Sequence, residues 1–153
     1  MRIVKGKNLL IVLSTSVFLN ACATMQSAEN IFSNEPVNDY SNMYLRGVFN
    51  WWEASDNFKL LPIEDYKYTV TIELIADGQP YDFKVADDTW THKLNCGLKF
   101  GNQVIELDDD IDLYCAGDST NLQFTPNETA MYTFTLDTRD DDEPELTIVK
   151  QLQ

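Results

Sequence analysis

The chain has a single histidine, His92, in 153 residues, which excludes paired-imidazole metal sites and leaves little histidine-based acid–base chemistry near neutral pH. A Ser-His-Asp set in plausible context, a phosphate loop and a glycine-rich dinucleotide turn are all missing. His92 itself reads as a solvated loop residue. Basic residues are few, 11 Lys and Arg against 25 Asp and Glu, for a net charge of −14. That balance excludes binding to nucleic acid phosphates or anionic headgroups, since both would be repelled. Long apolar runs are missing too: the longest, Leu9 to Leu19, is well short of the roughly 20 residues that a permanent membrane helix needs. Carboxylates are plentiful, but a pair of them working as in a glycosidase needs a cleft, and a domain this small offers little depth for one. The reading is of a non-catalytic protein without a cofactor or a metal site.

The few bases are informative in their placing. Arg2, Lys5 and Lys7 precede the apolar run, the pattern of an export signal over residues 1–21. The run ends in Leu19-Asn20-Ala21-Cys22, which resembles the bacterial lipobox. In that class the chain is cut before the cysteine and the cysteine carries the acyl chains. The resemblance therefore implies lipidation at Cys22, with contact to the membrane through the lipid alone. Ala23 stands where an Asp would argue for inner-membrane retention, so outer-membrane placement at the cell envelope is expected. Loss of the three signal bases leaves eight against 25 acids, a net charge of −17.

Cysteine is scarce as well, three in all. With Cys22 assigned to lipid, Cys96 and Cys115 remain, and in an oxidising compartment a disulfide between them is expected. Residues 22–42 carry Ser, Asn, Glu, Gln and Pro without sustained periodicity and read as a lipidated flexible tether. From Met43 the texture changes. Tyr68, Val70, Ile72 and Leu74 alternate with Thr69, Thr71 and Glu73, and Tyr81, Phe83 and Val85 alternate with Asp82, Lys84 and Ala86. This is the period of a strand with one buried face. The cluster Ala76-Asp77-Gly78-Gln79-Pro80 between them predicts a hairpin. A second hairpin is expected where Leu98–Phe100 and Val104–Leu107 flank Gly101-Asn102. Leu122–Thr125, Tyr132–Leu136 and Leu146–Val149 supply more short runs. Strands at about ten-residue intervals without helical periodicity predict one all-β domain over 43–153, an immunoglobulin-like antiparallel β-sandwich.

The acid runs Asp108-Asp109-Asp110-Ile111-Asp112 and Asp140-Asp141-Asp142-Glu143-Pro144-Glu145 lack the Gly and the terminal Glu of a calcium-binding EF-hand loop. They read as charged loops that blunt sheet edges.

The segment Tyr44-Leu45-Arg46-Gly47-Val48-Phe49-Asn50-Trp51-Trp52 is followed by Tyr81-Asp82-Phe83-Lys84-Val85-Ala86-Asp87 and then Trp90. This succession resembles the glycogen- and starch-binding β-sandwich of pullulanases, branching enzymes and eukaryotic energy-sensing kinases, the family 48 carbohydrate-binding modules. Gly47, Phe49, Asn50 and Trp52 fill that family's first motif; Phe83, Lys84 and Trp90 fill the second. The resemblance implies an early-set sandwich that binds an α-glucan such as glycogen, starch or maltodextrin. Trp52 and Trp90 would stack on sugar rings, while Lys84 and Asn50 would hydrogen-bond hydroxyls. The family's lysine often precedes the second-motif Phe, where this chain has Asp82.

Physical reasoning runs beside the resemblance. The apolar face of a glucose ring stacks on an indole, and burying it gains about 25 cal/mol per Å2. Trp52 and Trp90 follow strands expected to be neighbours, so they can flank one groove. If Trp51 and Trp52 lie on a strand they point to opposite faces, and one is expected to be buried. Phe49 and Phe83 read as core, and Gly47 as a point of close backbone packing. Two other readings stay open. One is an accessory lipoprotein that docks a protein such as an amylolytic enzyme; the other is a calcium-stabilised adhesion domain.

Overall fold

The computed structural model describes residues 37–152 apart from residue 102. The expected signal, Cys22 and most of the expected tether lie outside the described residues. Ten strands form within them: β1 (Met43–Gly47), β2 (Leu61–Glu64), β3 (Lys67–Leu74), β4 (Tyr81–Asp87), β5 (Asn95–Gly97), β6 (Asp110–Asp112), β7 (Tyr114–Cys115), β8 (Leu122–Phe124), β9 (Ala130–Asp137) and β10 (Glu145–Lys150). One sheet runs β1-β4-β5-β7, with β8 also paired to β4; the other runs β2-β3-β9-β10-β6. All these pairings are antiparallel. This is the antiparallel β-sandwich that the alternating runs predict.

Period-two patterning decides which side of each strand is buried. Val70, Ile72 and Leu74 of β3 face in with Tyr132, Phe134 and Leu136 of β9, while Thr71 and Glu73 face water. The two inner faces interlock through aromatic edges. Phe83 of β4 meets Phe134 of β9 at 5.5 Å between centroids and 79° between planes, and Phe124 of β8 meets Tyr132 of β9 at 5.4 Å and 69°. Such edge-to-face pairs add about 0.5–1.5 kcal/mol each beyond the area they bury. The Cys96–Cys115 disulfide ties β5 to β7, as expected from the cysteine count.

Three boundaries differ from the sequence reading. β3 and β4 are not a hairpin: β3 pairs with β2 and β9, β4 with β1, β5 and β8. Residues 75–80 carry the chain from one sheet to the other, and Tyr81 Oη pins this crossing by bonding both Ile75 N and Ile75 O. Alternation reports which face is buried, not which neighbour is paired. Among the described residues, 98–100 and 104–107 form no strand pair of the kind expected around Gly101. Phe100 and Val104 are exposed while Ile105 is buried, so these apolar residues share no face, and Leu98 makes only a single bridge, to Thr120. Finally, the folded body takes in the end of the expected tether. Tyr40 is fully buried in the core, and Asn38 Nδ2 donates to Asp141 Oδ2 at 2.9 Å.

Candidate functional site

β1 is covered on both faces. Met43 and Leu45 point into the core, so Tyr44 and Arg46 point outward, yet these too are buried. Tyr44 is met by Asn42 and Lys59, and Arg46 by two loops, residues 48–53 after β1 and 88–91 after β4. Because β1 and β4 are antiparallel, these loops start from opposite ends of the strand pair. They meet because each turns back over the outer face of the sheet.

The first loop begins at Gly47, where the chain passes close to its neighbour. A Cβ there would lie 2.6 Å from Asp82 O and 2.7 Å from Phe83 Cβ, so only glycine fits. A single 3-10 turn, Val48–Asn50, follows. Asn50 then locks the loop from inside: Oδ1 accepts from Gly47 N at 2.9 Å, and Nδ2 donates to Leu45 O and Glu53 O, both at 3.0 Å. Its polar atoms are spent on its own chain. Asn50 is a buried brace of the loop.

Trp51 and Trp52 leave this turn in the left-handed region, at φ 55 and 63, and Trp90 stands at φ 59. All three tryptophans of the chain thus occupy a conformation that costs an L-residue roughly 1–2 kcal/mol, and strain of this kind collects at functional sites. Trp51 and Trp52 lie in a turn and not on a strand, and neither ring is fully buried. Trp51 is 87% exposed; Trp52 and Trp90 are partly exposed. Trp52 and Trp90 come together, with centroids 6.3 Å apart and planes tilted by 41°. Trp51 makes no ring contact with either of them among the described residues.

The second loop is shaped by Asp87, whose carboxylate accepts from Thr91 N at 2.8 Å and Thr89 Oγ1 at 3.1 Å. Burial pushes the Asp87 carboxyl upward, but bonds from Thr91, Thr89 and the Trp90 backbone outweigh it and hold it below the ordinary value of 3.8.

Lys84 lies opposite Arg46 on the outer face but points away from the indoles. Its Nζ donates to Asn95 Oδ1 at 3.0 Å, Ser119 O at 2.6 Å and Ser119 Oγ at 2.9 Å, and the residue is buried. An ammonium has three donors, and all three are used. Lys84 therefore fastens the loop before β8 to the sheet. Burial pushes its pKa below 10.5, against the pull of Asp118.

Sequence reasoning missed Arg46. Its Nε donates to Trp52 O at 2.8 Å, and Nη1 donates to Asp87 O at 2.7 Å and Asp88 O at 3.2 Å. Its Cζ sits 3.8 Å from the centroid of the Trp90 ring. Tyr44 extends the same face, with Lys59 Nζ 5.6 Å from its ring. Elsewhere, His92 is exposed. Among the described residues no cluster of His, Cys, Asp or Glu is arranged to hold a metal ion. Of the first acid run, Asp110–Asp112 form β6, the outer strand of its sheet, and Asp108 lies in the turn before it.

No family model and no curated protein matches the chain. One solved structure does: the ligand-induced structure of AmyP-SBD, a starch-binding domain, with a TM-score of 0.56 and 13% sequence identity. The match covers 96% of this chain and 95% of the other. At that identity the likeness establishes a shared β-sandwich fold.

Proposed function

We propose that this chain is a non-catalytic, lipid-anchored module that binds α-glucans at the cell envelope through the Trp52–Trp90 pair. The observation that carries the reading is the pairing itself. Two indoles from loops far apart in sequence sit 6.3 Å apart, partly exposed, on strained backbone. A core does not need that arrangement, and a sugar-stacking platform does. The 41° tilt between the rings suits a chain that curves, since successive sugars of an α-glucan present their faces at changing angles. A flat β-linked ribbon would ask for coplanar rings. The net charge of −14 favours a neutral ligand over an anionic polymer. The fold shared with a starch-binding domain supports the same reading, as does the motif that carries Trp52 and Trp90. Contacts of this kind are weak singly and suit holding a polymer near a surface.

Retention on insoluble starch tests the proposal. The protein is expected to be retained nearly independently of salt, because stacking and hydroxyl contacts carry no net charge to screen. Trp52→Ala and Trp90→Ala should each abolish retention while the protein still unfolds cooperatively. Failure of the unmutated protein to bind any α-glucan at high concentration would defeat the reading and favour docking of a protein partner. The anchor is tested separately: Cys22→Ala should release the protein from membranes and remove fatty-acid labelling.

A further inference from the structure

Arg46 sits where the two tryptophan loops meet. Its guanidinium touches both of them at once, Trp52 O on one side and Asp87 O and Asp88 O on the other, with its Cζ over the Trp90 ring, 3.8 Å from the centroid. Among the described residues, the hydrogen bonds that join the two loops all pass through this one side chain. Its acceptors are backbone carbonyls and not carboxylates, so each bond fixes the course of a loop and not merely the end of another side chain. The residue is only 6% exposed, so it is not the surface cation that its charge suggests.

The shape of the group matters more than its charge. A guanidinium is a planar fork whose donors diverge in one plane, which leaves its flat face free to stack on an aromatic ring. An ammonium is a point charge that cannot reach carbonyls on two loops and lie flat against an indole together. Arg46 is the one described side chain hydrogen-bonded to both of the loops that carry the indoles.

We propose that Arg46 is the positioning residue of the indole pair, and that by fixing the tilt between Trp52 and Trp90 it sets the preference for a curved glucan over a flat one. The preference rests on the glucan reading above; the positioning does not.

The experiment uses the full chain in a polyoxyethylene detergent, which presents no sugar headgroup, and compares the unmutated protein with Arg46→Lys, Arg46→Met and Trp52→Ala. Two properties are read. One is the indole–indole exciton band in circular dichroism, assigned by its loss in Trp52→Ala. The other is affinity for maltoheptaose, a curved chain, and cellohexaose, a flat one. In Arg46→Lys the band should be lost although charge is kept and unfolding stays cooperative. Its maltoheptaose affinity should fall about tenfold or more, in line with loss of charge-assisted bonds, and its margin over cellohexaose should shrink. A purely structural role would lower the melting temperature and leave the band and the selectivity of the folded fraction intact. Rescue of both by lysine would overturn the proposal. Should Arg46→Met fail to fold, Arg46→Lys decides alone. If the unmutated protein binds neither sugar, the glucan reading fails and the selectivity claim with it. The positioning claim is then upheld by loss of the exciton band in Arg46→Lys and overturned by its retention.

Discussion

Lys84→Met separates a structural role from a ligand-binding one. Methionine keeps an unbranched stem in the space and removes the ammonium, so packing is largely retained while three hydrogen bonds are lost. Those bonds run to Asn95 Oδ1, Ser119 O and Ser119 Oγ. Ser119 Oγ keeps a partner, because it donates to Asn95 O at 2.8 Å. Asn95 Oδ1 and Ser119 O lose the donor that Lys84 supplies. A buried acceptor left unmet costs about 1–3 kcal/mol, and no longer desolvating an ammonium returns part of this. The expected loss is about 2 kcal/mol. With a urea slope of about 1–3 kcal/mol per molar, the midpoint should fall by about 1 M. Retention on starch, measured on folded protein, should be unchanged. An unmoved midpoint together with lost retention would refute the reasoning and return Lys84 to the ligand site. A pH series adds a second check. The native Lys84 pKa lies below its ordinary value of 10.5, so the folded state binds fewer protons in that window and stability rises with pH there. The unmutated protein should therefore gain on the Met variant as pH climbs toward 10.5.

Reduction of Cys96–Cys115, which are separated by 19 residues, should lower the unfolding free energy by about 3 kcal/mol on the chain-entropy model, read from urea curves with and without reductant; an unmoved midpoint would exclude the bridge. The Asp87 carboxyl titrates below 3.8 in the folded chain, so its contribution is complete above that value and lost as pH falls through the native pKa. Asp87→Asn should accordingly flatten the acid limb of a stability–pH profile, and an unchanged limb would refute the assignment. Trp51→Gly should raise the unfolding free energy by about 0.5–1 kcal/mol, because φ 55 favours glycine and an indole 87% exposed packs little. Calorimetry that found a lower melting temperature would contradict this.

The sequence speaks clearly where one residue type in one pattern has one physical consequence. Alternation at Tyr68–Leu74 marks a strand with a single buried face, and β3 has one. Two cysteines left over after Cys22 mark a bridge, and it is there. Alternation is silent about partners, which is why β3 and β4 read as a hairpin although they belong to different sheets. The tryptophan motif named the two rings that meet, but polar residues near a motif carry no mark of how buried they are. The partners that Asn50 and Lys84 take in the fold, Leu45 O, Glu53 O, Asn95 and Ser119, are chosen by tertiary packing and not by spacing.

Arg46 and Lys84 show what the fold adds. They face each other across β1 and β4, a placement that sets like charges side by side and costs stability unless the heads diverge. They do diverge, Arg46 toward the tryptophan loops and Lys84 toward Asn95 and Ser119. Among the described residues neither of these buried cations is hydrogen-bonded to a carboxylate; the hydrogen bonds of Arg46 go to carbonyls, and those of Lys84 to a carbonyl, an amide oxygen and a hydroxyl. A carboxylate would neutralise the charge but would hold only another side chain. A backbone carbonyl commits the loop that bears it to one course. The cross-strand pair thus turns two costly burials into fixed positions for three loops, one on each side of the indoles and one before β8. At the indoles the charge that joins the two loops is that of Arg46, and it is held by backbone carbonyls of both.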